Sequence, residues 1–241
     1  MKILGIESSS LVASAAIVTD DILTAEYTVN FKKTHSQTLL PMIDEIVSMT
    51  ETDLNEIDAI AVSGGPGSFT GLRIGSATAK GLGLALKKPL IHIPTVDALA
   101  YNLWGAANLV CPIMDAKRNQ VYTGIYRMKD GLQAVKEQCP MDMRRLMEEL
   151  NGLGEPVIFL GDGVPVYEPV IRETAEIPVS FAPAHMNRQR AAAVAALGAI
   201  YYAQGKTETA AEHGPDYMRK SQAERERLAR QGKAEKCKGD N

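Results

Sequence analysis

The sequence predicts an α/β protein made of two similar lobes. Three observations carry this. The order β-β-β-α-β-α occurs twice along the 241 residues. Each round opens on a short apolar run that ends in an acidic residue, residues 3–6 into Glu7 and residues 109–114 into Asp115. In each round a later apolar run enters glycines, residues 60–63 into Gly64-Gly65 and residues 157–160 into Gly161-Asp162-Gly163.

Residues 3–7, 12–19 and 22–29 read as strands, separated by turns at Ser8-Ser9-Ser10 and Asp20-Asp21. A helix follows over residues 34–50, with Thr34 and Gln37 at capping-box spacing. Leu39, Leu40, Ile43, Ile46 and Val47 keep its helical period. Pro41 removes one backbone donor, so this helix starts late or kinks. Residues 58–63 form a buried-type strand that runs into the glycine segment 64–71 and a helix over 70–86, which ends before Pro89. A strand at 90–93 and a helix from Thr95 to about residue 105 complete the first round. The second round reads as strands at 109–114, 121–127 and 132–137, a helix at 141–150 and a strand at 157–160. An alanine-rich amphipathic helix at 189–203 closes it. Two such α/β lobes with a cleft between them are the plan of actin, Hsp70 and the sugar kinases. The expected partition is residues 1–107, residues 108–215 and a basic tail at 216–241.

Composition fits a soluble globular chain, with 45% hydrophobic and 23% charged residues. No apolar run reaches the roughly 20 residues that span a bilayer, and Glu7 comes too early for a signal peptide. Cys111, Cys139 and Cys237 are odd in number and lack metal-knuckle spacing, which points to a reducing compartment, the cytoplasm. From Tyr217 onward eight basic residues face four acidic ones, whereas the remainder carries a net charge of −7. A basic tail on an acidic body suits an arm for nucleic acid or a solvated end.

The strongest local motif is the segment from Gly64 to Gly75, which reads GGPGSFTGLRIG. Glycines between a strand and a helix N-terminus let backbone amides face an anion. The segment lacks the Gly-Lys-Ser/Thr of a Walker loop, and a tight turn capped by Ser68 or Thr70 accounts for it equally well. Gly71, Gly75 and Ala79 then lie four apart on one helix face, with Gly83 continuing the line. Glycine inside a helix costs up to about 1 kcal/mol against alanine, so another backbone is expected close by. His35, His92, His185 and His213 are scattered, without an i, i+4 pair or a nearby cysteine, so no metal site is expected.

Three segments resemble the TsaB (YeaZ) family: Gly5-Ile6-Glu7-Ser8-Ser9, residues 35–41 (HSQTLLP) and residues 65–75 (GPGSFTGLRIG). Residues 114–118 (MDAKR) and 215–220 (PDYMRK) resemble weaker family patches. The resemblance implies an actin-like fold and a role without chemistry of its own in tRNA threonylcarbamoyladenosine modification. It implies binding to a catalytic TsaD-type paralogue and a TsaE-type ATPase, contact with tRNA through that complex, and self-association as an option when alone. TsaD-type chains carry a His-x-x-x-His metal pair where this sequence has Thr95 and Leu99, so a metal-assisted transfer site cannot form there. Actin-like kinases place glycines after the acidic residue that opens the second lobe. Here Asp115 is followed by Ala116, Lys117, Arg118 and Asn119, although Lys117 and Arg118 remain able to attract an anion. No catalytic, cofactor or metal residue is therefore expected.

The competing readings are a small ATP-using kinase, favoured by the fold and the glycine loop, and a metalloprotease, which lacks ligands. The partner surface is expected on the first lobe, built from the helices at 34–50 and 71–86. Its residues are His35, Leu39, Met42, Ile43, Ile46, Gly71, Leu72, Gly75 and Ala79. Met42 and Met49 widen the apolar face of the first helix, and the small residues of the second invite another backbone. That face is expected to be exposed in the free chain.

Overall fold

A computed structural model describes residues 1–32 and 34–218. The first half of the chain forms β1 (Lys2–Glu7), β2 (Val12–Thr19), β3 (Ile22–Asn30), α1 (His35–Met49), β4 (Ala59–Gly65), α2 (Phe69–Leu86), β5 (Leu90–Pro94) and α3 (Thr95–Tyr101). The second half forms β6 (Leu109–Asp115), β7 (Gln120–Arg127), β8 (Gln133–Asp142), α4 (Met143–Leu153), β9 (Val157–Leu160), α5 (Val164–Thr174), β10 (Val179–Phe181) and α6 (Ala191–Ala203). All but the first three residues of the basic tail at 216–241 lie outside the described residues. No helix among those described is long and apolar enough to cross a membrane.

The duplication is complete at the level of the sheets. The first runs β3-β2-β1-β4-β5 and the second β8-β7-β6-β9-β10. In each, the three hairpin strands pair antiparallel and the last two strands join parallel. Helices α1 and α2 cover one face of the first sheet around Leu4, Ile6, Ile60 and Val62. Helices α4 and α5 cover the second sheet in the same way, around Cys111, Ile113, Val157 and Phe159.

The third helix of each half crosses to the other lobe. Helix α3 packs on β6 and β7, where the Tyr126 hydroxyl donates to the Asp97 carboxylate over 2.7 Å. Helix α6 packs on β1, β2 and β4, and it touches α3. Gly5 and Gly198 set that distance: a Cβ at Gly5 would strike the Ala191 carbonyl and Ala195, and one at Gly198 would lie 2.6 Å from Ala61 Cβ. Residues 108–215 therefore do not all pack with the second sheet, since α6 belongs physically to the first.

Several elements differ from the sequence expectation. Helix α1 starts at His35 and continues through Pro41. Thr34 makes no capping bond to a backbone amide, and its hydroxyl meets Gln37 Oε1 at 3.2 Å instead. Helix α6 is not amphipathic. Ala191, Ala193, Val194, Ala195, Leu197 and Gly198 are buried around most of its circumference, because it lies between a sheet and α3. Helix α5 was not expected, as Pro165 and Pro169 interrupt its pattern; Pro165 sits in the first turn, where a missing donor costs nothing.

The apolar side of α1 is interior. Leu39, Met42, Ile43 and Ile46 are each at most 4% exposed and pack in the first core. Met42→Asp is accordingly expected to destabilise the chain by about 3–5 kcal/mol, with the loss visible in a thermal melt followed by circular dichroism. Asp97 supplies a second check. Burial raises its carboxyl pKa against the lowering effect of Tyr126, so the folded value lies above the unfolded one. Stability from this group is full below the unfolded value and falls as pH rises toward the folded one. Tyr126→Phe removes the donor that relieves the buried carboxylate. It is expected to cost about 1–3 kcal/mol at neutral pH and less near pH ~4, measured by denaturant unfolding at both.

Candidate functional site

The cleft between the lobes has a volume of about 560 Å³ and is lined by Ser9, Ser10, His35, Ser68, Asp115, Lys117, Tyr122 and Asp162, among others. Its floor is set by the end of β1. The Glu7 side chain is wholly buried, and burial pushes its pKa up. Glu7 Oε1 accepts from the Ser9 amide at 2.6 Å and the Ser9 hydroxyl at 2.5 Å, while Oε2 accepts from the Ser63 hydroxyl. The carboxylate thus joins the ends of β1 and β4, and both its oxygens are engaged. It is a structural group rather than a free general base.

The glycine motif packs against that floor. A Cβ at Gly67 would collide with the Ser9 carbonyl, one at Gly71 with the Ser8 carbonyl, and one at Gly75 with Ser8 Oγ. The Ser68 amide donates to the Ser9 carbonyl at 2.6 Å, the Ser8 hydroxyl donates to the Gly71 carbonyl at 2.9 Å, and Ser68 Oγ caps α2 by accepting from the Gly71 amide. Of the two sequence readings, the tight turn capped by Ser68 describes what is present. The close backbone that the small residues require is the Ser8-Ser9 turn of the same chain.

This corrects the exposure expected for the partner face. Leu39, Met42, Ile43, Ile46, Leu72 and Ala79 are core residues, Gly71 and Gly75 face Ser8, and His35 binds the Val12 carbonyl through Nε2 at 3.0 Å. The outward ridge of α2 is Arg73, Ala77, Gly81 and Leu84, all exposed. A Cβ at Gly81 meets nothing within 4 Å. Leu84 is 69% exposed, and Leu40 and Met49 of α1 are exposed as well. Both ridges have helical spacing, so the pattern of small residues alone did not say which one faces out.

Across the cleft, Lys117, Arg118 and Asn119 follow Asp115 with φ of 62°, 59° and 60°. Residues other than glycine rarely adopt this region, and here they close a turn in which the Ala116 amide bonds the Gln120 carbonyl at 2.9 Å. Asp115 accepts from the Lys117 amide at 2.8 Å and from Lys117 Nζ at 2.5 Å. Burial alone raises the Asp115 carboxyl, but the bonds from Lys117 outweigh it and the net pKa is lowered. Asp162, beside it, has its pKa raised by burial, and its Oδ1 has no hydrogen-bond partner among the described residues. The cleft therefore presents carboxylates, one of them already neutralised by a lysine, at the place where glycine amides would wrap a phosphate.

After α6 the chain returns to the first lobe. Glu208 and Leu90 exchange backbone bonds of 2.8 and 2.9 Å, and the Asp216 amide donates to the Gly64 carbonyl at 2.6 Å. The Tyr217 ring stacks on Phe69 at 4.1 Å between centroids, and the Arg73 guanidinium lies 4.2 Å over Phe69. Along this strap His213 and Glu208 come to rest beside His92 of β5, within metal-ligating distance of one another. The sequence reading assigned no metal ligand, because these residues meet only through the fold. At the positions matching the histidine pair of TsaD-type chains, Thr95 and Leu99 are buried.

A family model described as TsaD, tRNA N6-adenosine threonylcarbamoyltransferase, matches residues 25–227. The tRNA threonylcarbamoyladenosine biosynthesis protein TsaB of Bacillus subtilis is 33% identical over 228 residues, which cover 93% of this chain and 96% of that protein. The structure of YeaZ from Pseudomonas aeruginosa superimposes with a TM-score of 0.78 at 23% identity, over 90% of this chain and 99% of that one. A polyphosphate/ATP-glucomannokinase from an Arthrobacter strain shares the fold at a TM-score of 0.52 and 12% identity, over 85% of this chain and 99% of that one.

The Asp115–Lys117 pair gives a direct test of the cleft. Because the folded Asp115 pKa is depressed, its contribution is present above the unfolded pKa and lost as pH falls through the folded value. Lys117→Met is expected to raise the Asp115 pKa, read by NMR of the carboxyl carbon. Since Lys117 is exposed, stability should change by no more than about 1 kcal/mol.

Proposed function

The chain belongs to the TsaB family, and from that membership we propose that it serves the biosynthesis of threonylcarbamoyladenosine in tRNA as a subunit without chemistry of its own. In this reading it binds a TsaD-type catalytic paralogue and a TsaE-type ATPase in the cytoplasm, and meets tRNA through the complex. The observation that carries the reading is the match along nearly the whole length of both this chain and its Bacillus relative. Two features of the site support it. Buried Thr95 and Leu99 stand where the paralogue has metal-binding histidines, and Asp115 is neutralised by Lys117 in the cleft.

The partner surface remains on the helix pair of the first lobe, moved to its outward side. Ala77, Gly81 and Leu84 of α2, beside Arg73, and Leu40 of α1 offer exposed small and apolar residues, and the small ones admit a second helix closely. A stable interface needs about 800 Å² per partner, an area two helices of this length can supply most of.

Reconstitution tests the function. Purified chain, TsaD-type subunit, TsaE-type ATPase and threonylcarbamoyl adenylate are expected to modify tRNA together, as read by mass spectrometry of the nucleosides. The chain alone is expected to give no modified nucleoside and no ATP turnover above blank. Product from the isolated chain would overturn the proposal. For the surface, Leu84→Asp is expected to weaken binding to the TsaD-type subunit by about tenfold or more, since a charge buried without a partner costs several kcal/mol. Its melting temperature should stay near that of the parent, because Leu84 is exposed. Unchanged binding in a calorimetric titration would remove this ridge from the interface.

A further inference from the structure

We infer that His92, His213 and Glu208 form a binding site for a divalent transition metal, best matched by zinc, that fastens the strap after α6 to the first lobe. The site lies apart from the interlobe cleft, and it rests on geometry rather than on the family reading. Ligand atoms of the three residues all lie within 4.8 Å of one another. Ligands at zinc distances of about 2.0–2.2 Å in a tetrahedron stand about 3.4 Å apart, so modest side-chain rotations close the site.

The state of the two imidazoles points to a ligand. The His213 side chain is wholly buried, and its Nδ1 faces Glu208 Oε1 at 2.6 Å. Its Nε2 is buried with no hydrogen-bond partner among the described residues. His92 Nε2 is likewise buried and without a hydrogen-bond partner among those residues. Asp216 Oδ2 approaches to 3.3 Å but out of line for such a bond. An unsatisfied buried polar atom costs about 1–3 kcal/mol, and here two occur on rings whose centroids are 5.8 Å apart. One metal ion answers both. A carboxylate against the far nitrogen of a ligating histidine is the usual means of orienting the ring and raising its basicity, which is the relation of Glu208 to His213. Turned away from His213 Nδ1, the Glu208 carboxylate would ligate in place of that orienting role, and Asp216 stands at the exposed rim as a further oxygen donor. The facing cation is Lys80, but its Nζ is held by the His213 carbonyl at 2.9 Å.

The donor set selects the metal. Two imidazoles and carboxylate oxygen suit zinc, cobalt or nickel, whereas magnesium and calcium prefer all-oxygen shells. Gly64 makes room for the site, since a Cβ there would overlap the His92 ring. Occupancy would tie Glu208 and His213 to β5. It would thereby steady Asp216 on Gly64 and Tyr217 on Phe69, at the N-terminus of α2.

The full chain, stripped with chelator and dialysed, is titrated with zinc chloride by calorimetry, with magnesium chloride as control. One zinc per chain is expected at a Kd of about 1 μM or tighter, with no magnesium response. At free zinc about 100-fold above Kd the melting temperature should rise by about 5–10 °C. Cobalt should give the intense visible absorption of a four-coordinate site. His92→Gln and Glu208→Gln should each weaken zinc binding by about tenfold or more while keeping the parent circular dichroism. The double variant His35→Gln/His185→Gln should bind as the parent does. Absence of saturable zinc binding by the parent chain, which needs no variant to fold, would overturn the inference. Equal binding in His92→Gln, or loss of binding in the His35/His185 variant, would overturn it too.

Discussion

Helix α6 lies so near the first sheet that one methyl group at Gly5 would meet the Ala191 carbonyl and the Ala195 side chain. That approach is the constraint on which the arrangement of the lobes depends. A helix from the second half of the chain covers the first sheet, and α3 from the first half covers the second through Asp97 and Tyr126. Neither sheet has two covered faces without the other lobe. The exchange also brings the two helices into contact, so the lobes share a core at their junction. The N-terminus of α6 is satisfied in the same way: Ser14 Oγ takes the Ala191 amide at 3.0 Å, and Glu26 takes the Ala192 amide at 3.1 Å while pairing with Arg190.

A second convergence lies at the glycine motif. The Ser8-Ser9 turn, His92 of β5 and Asp216 of the strap all press on glycines between Gly64 and Gly75. In a fold shared with ATP-dependent kinases, such a segment invites reading as a phosphate cradle. The contacts assign it to packing, and Glu7, locked by Ser9 and Ser63, holds the neighbouring strand ends together. The second-lobe wall of the cleft carries a lysine-paired Asp115 and a turn of three residues with positive φ.

The strap after α6 connects these regions. It adds a backbone bridge to β5, sets Asp216 on Gly64, and places Tyr217 against Phe69 and Arg73 at the start of α2. Whatever steadies the strap therefore acts on the same helix whose outer ridge we propose as the partner surface.

Periodicity and turn chemistry in the sequence were enough for the two-lobed α/β plan, since apolar runs that end in an acidic residue and glycine-flanked apolar runs are local signals that recur in both halves. The family was legible for a related reason: residues 65–75 form one contiguous segment in which each glycine answers a close approach by another part of the chain. What the tertiary structure alone decided was direction and company. Helical spacing places Gly71, Gly75 and Ala79 on one side and Ala77, Gly81 and Leu84 on another, but only the position of Ser8 turns the first inward. Met42 looks the same whether its stripe meets a sheet or a partner. Pro165 and Pro169 hid α5, and nothing in the alanine run of α6 tells that Ser14 and Glu26 would cap it from another lobe. His92 and His213 are unrelated histidines along the chain, and they become neighbours because the chain returns over β5 after α6. Local patterns determine which elements form; which faces meet is set by contacts between residues far apart in sequence.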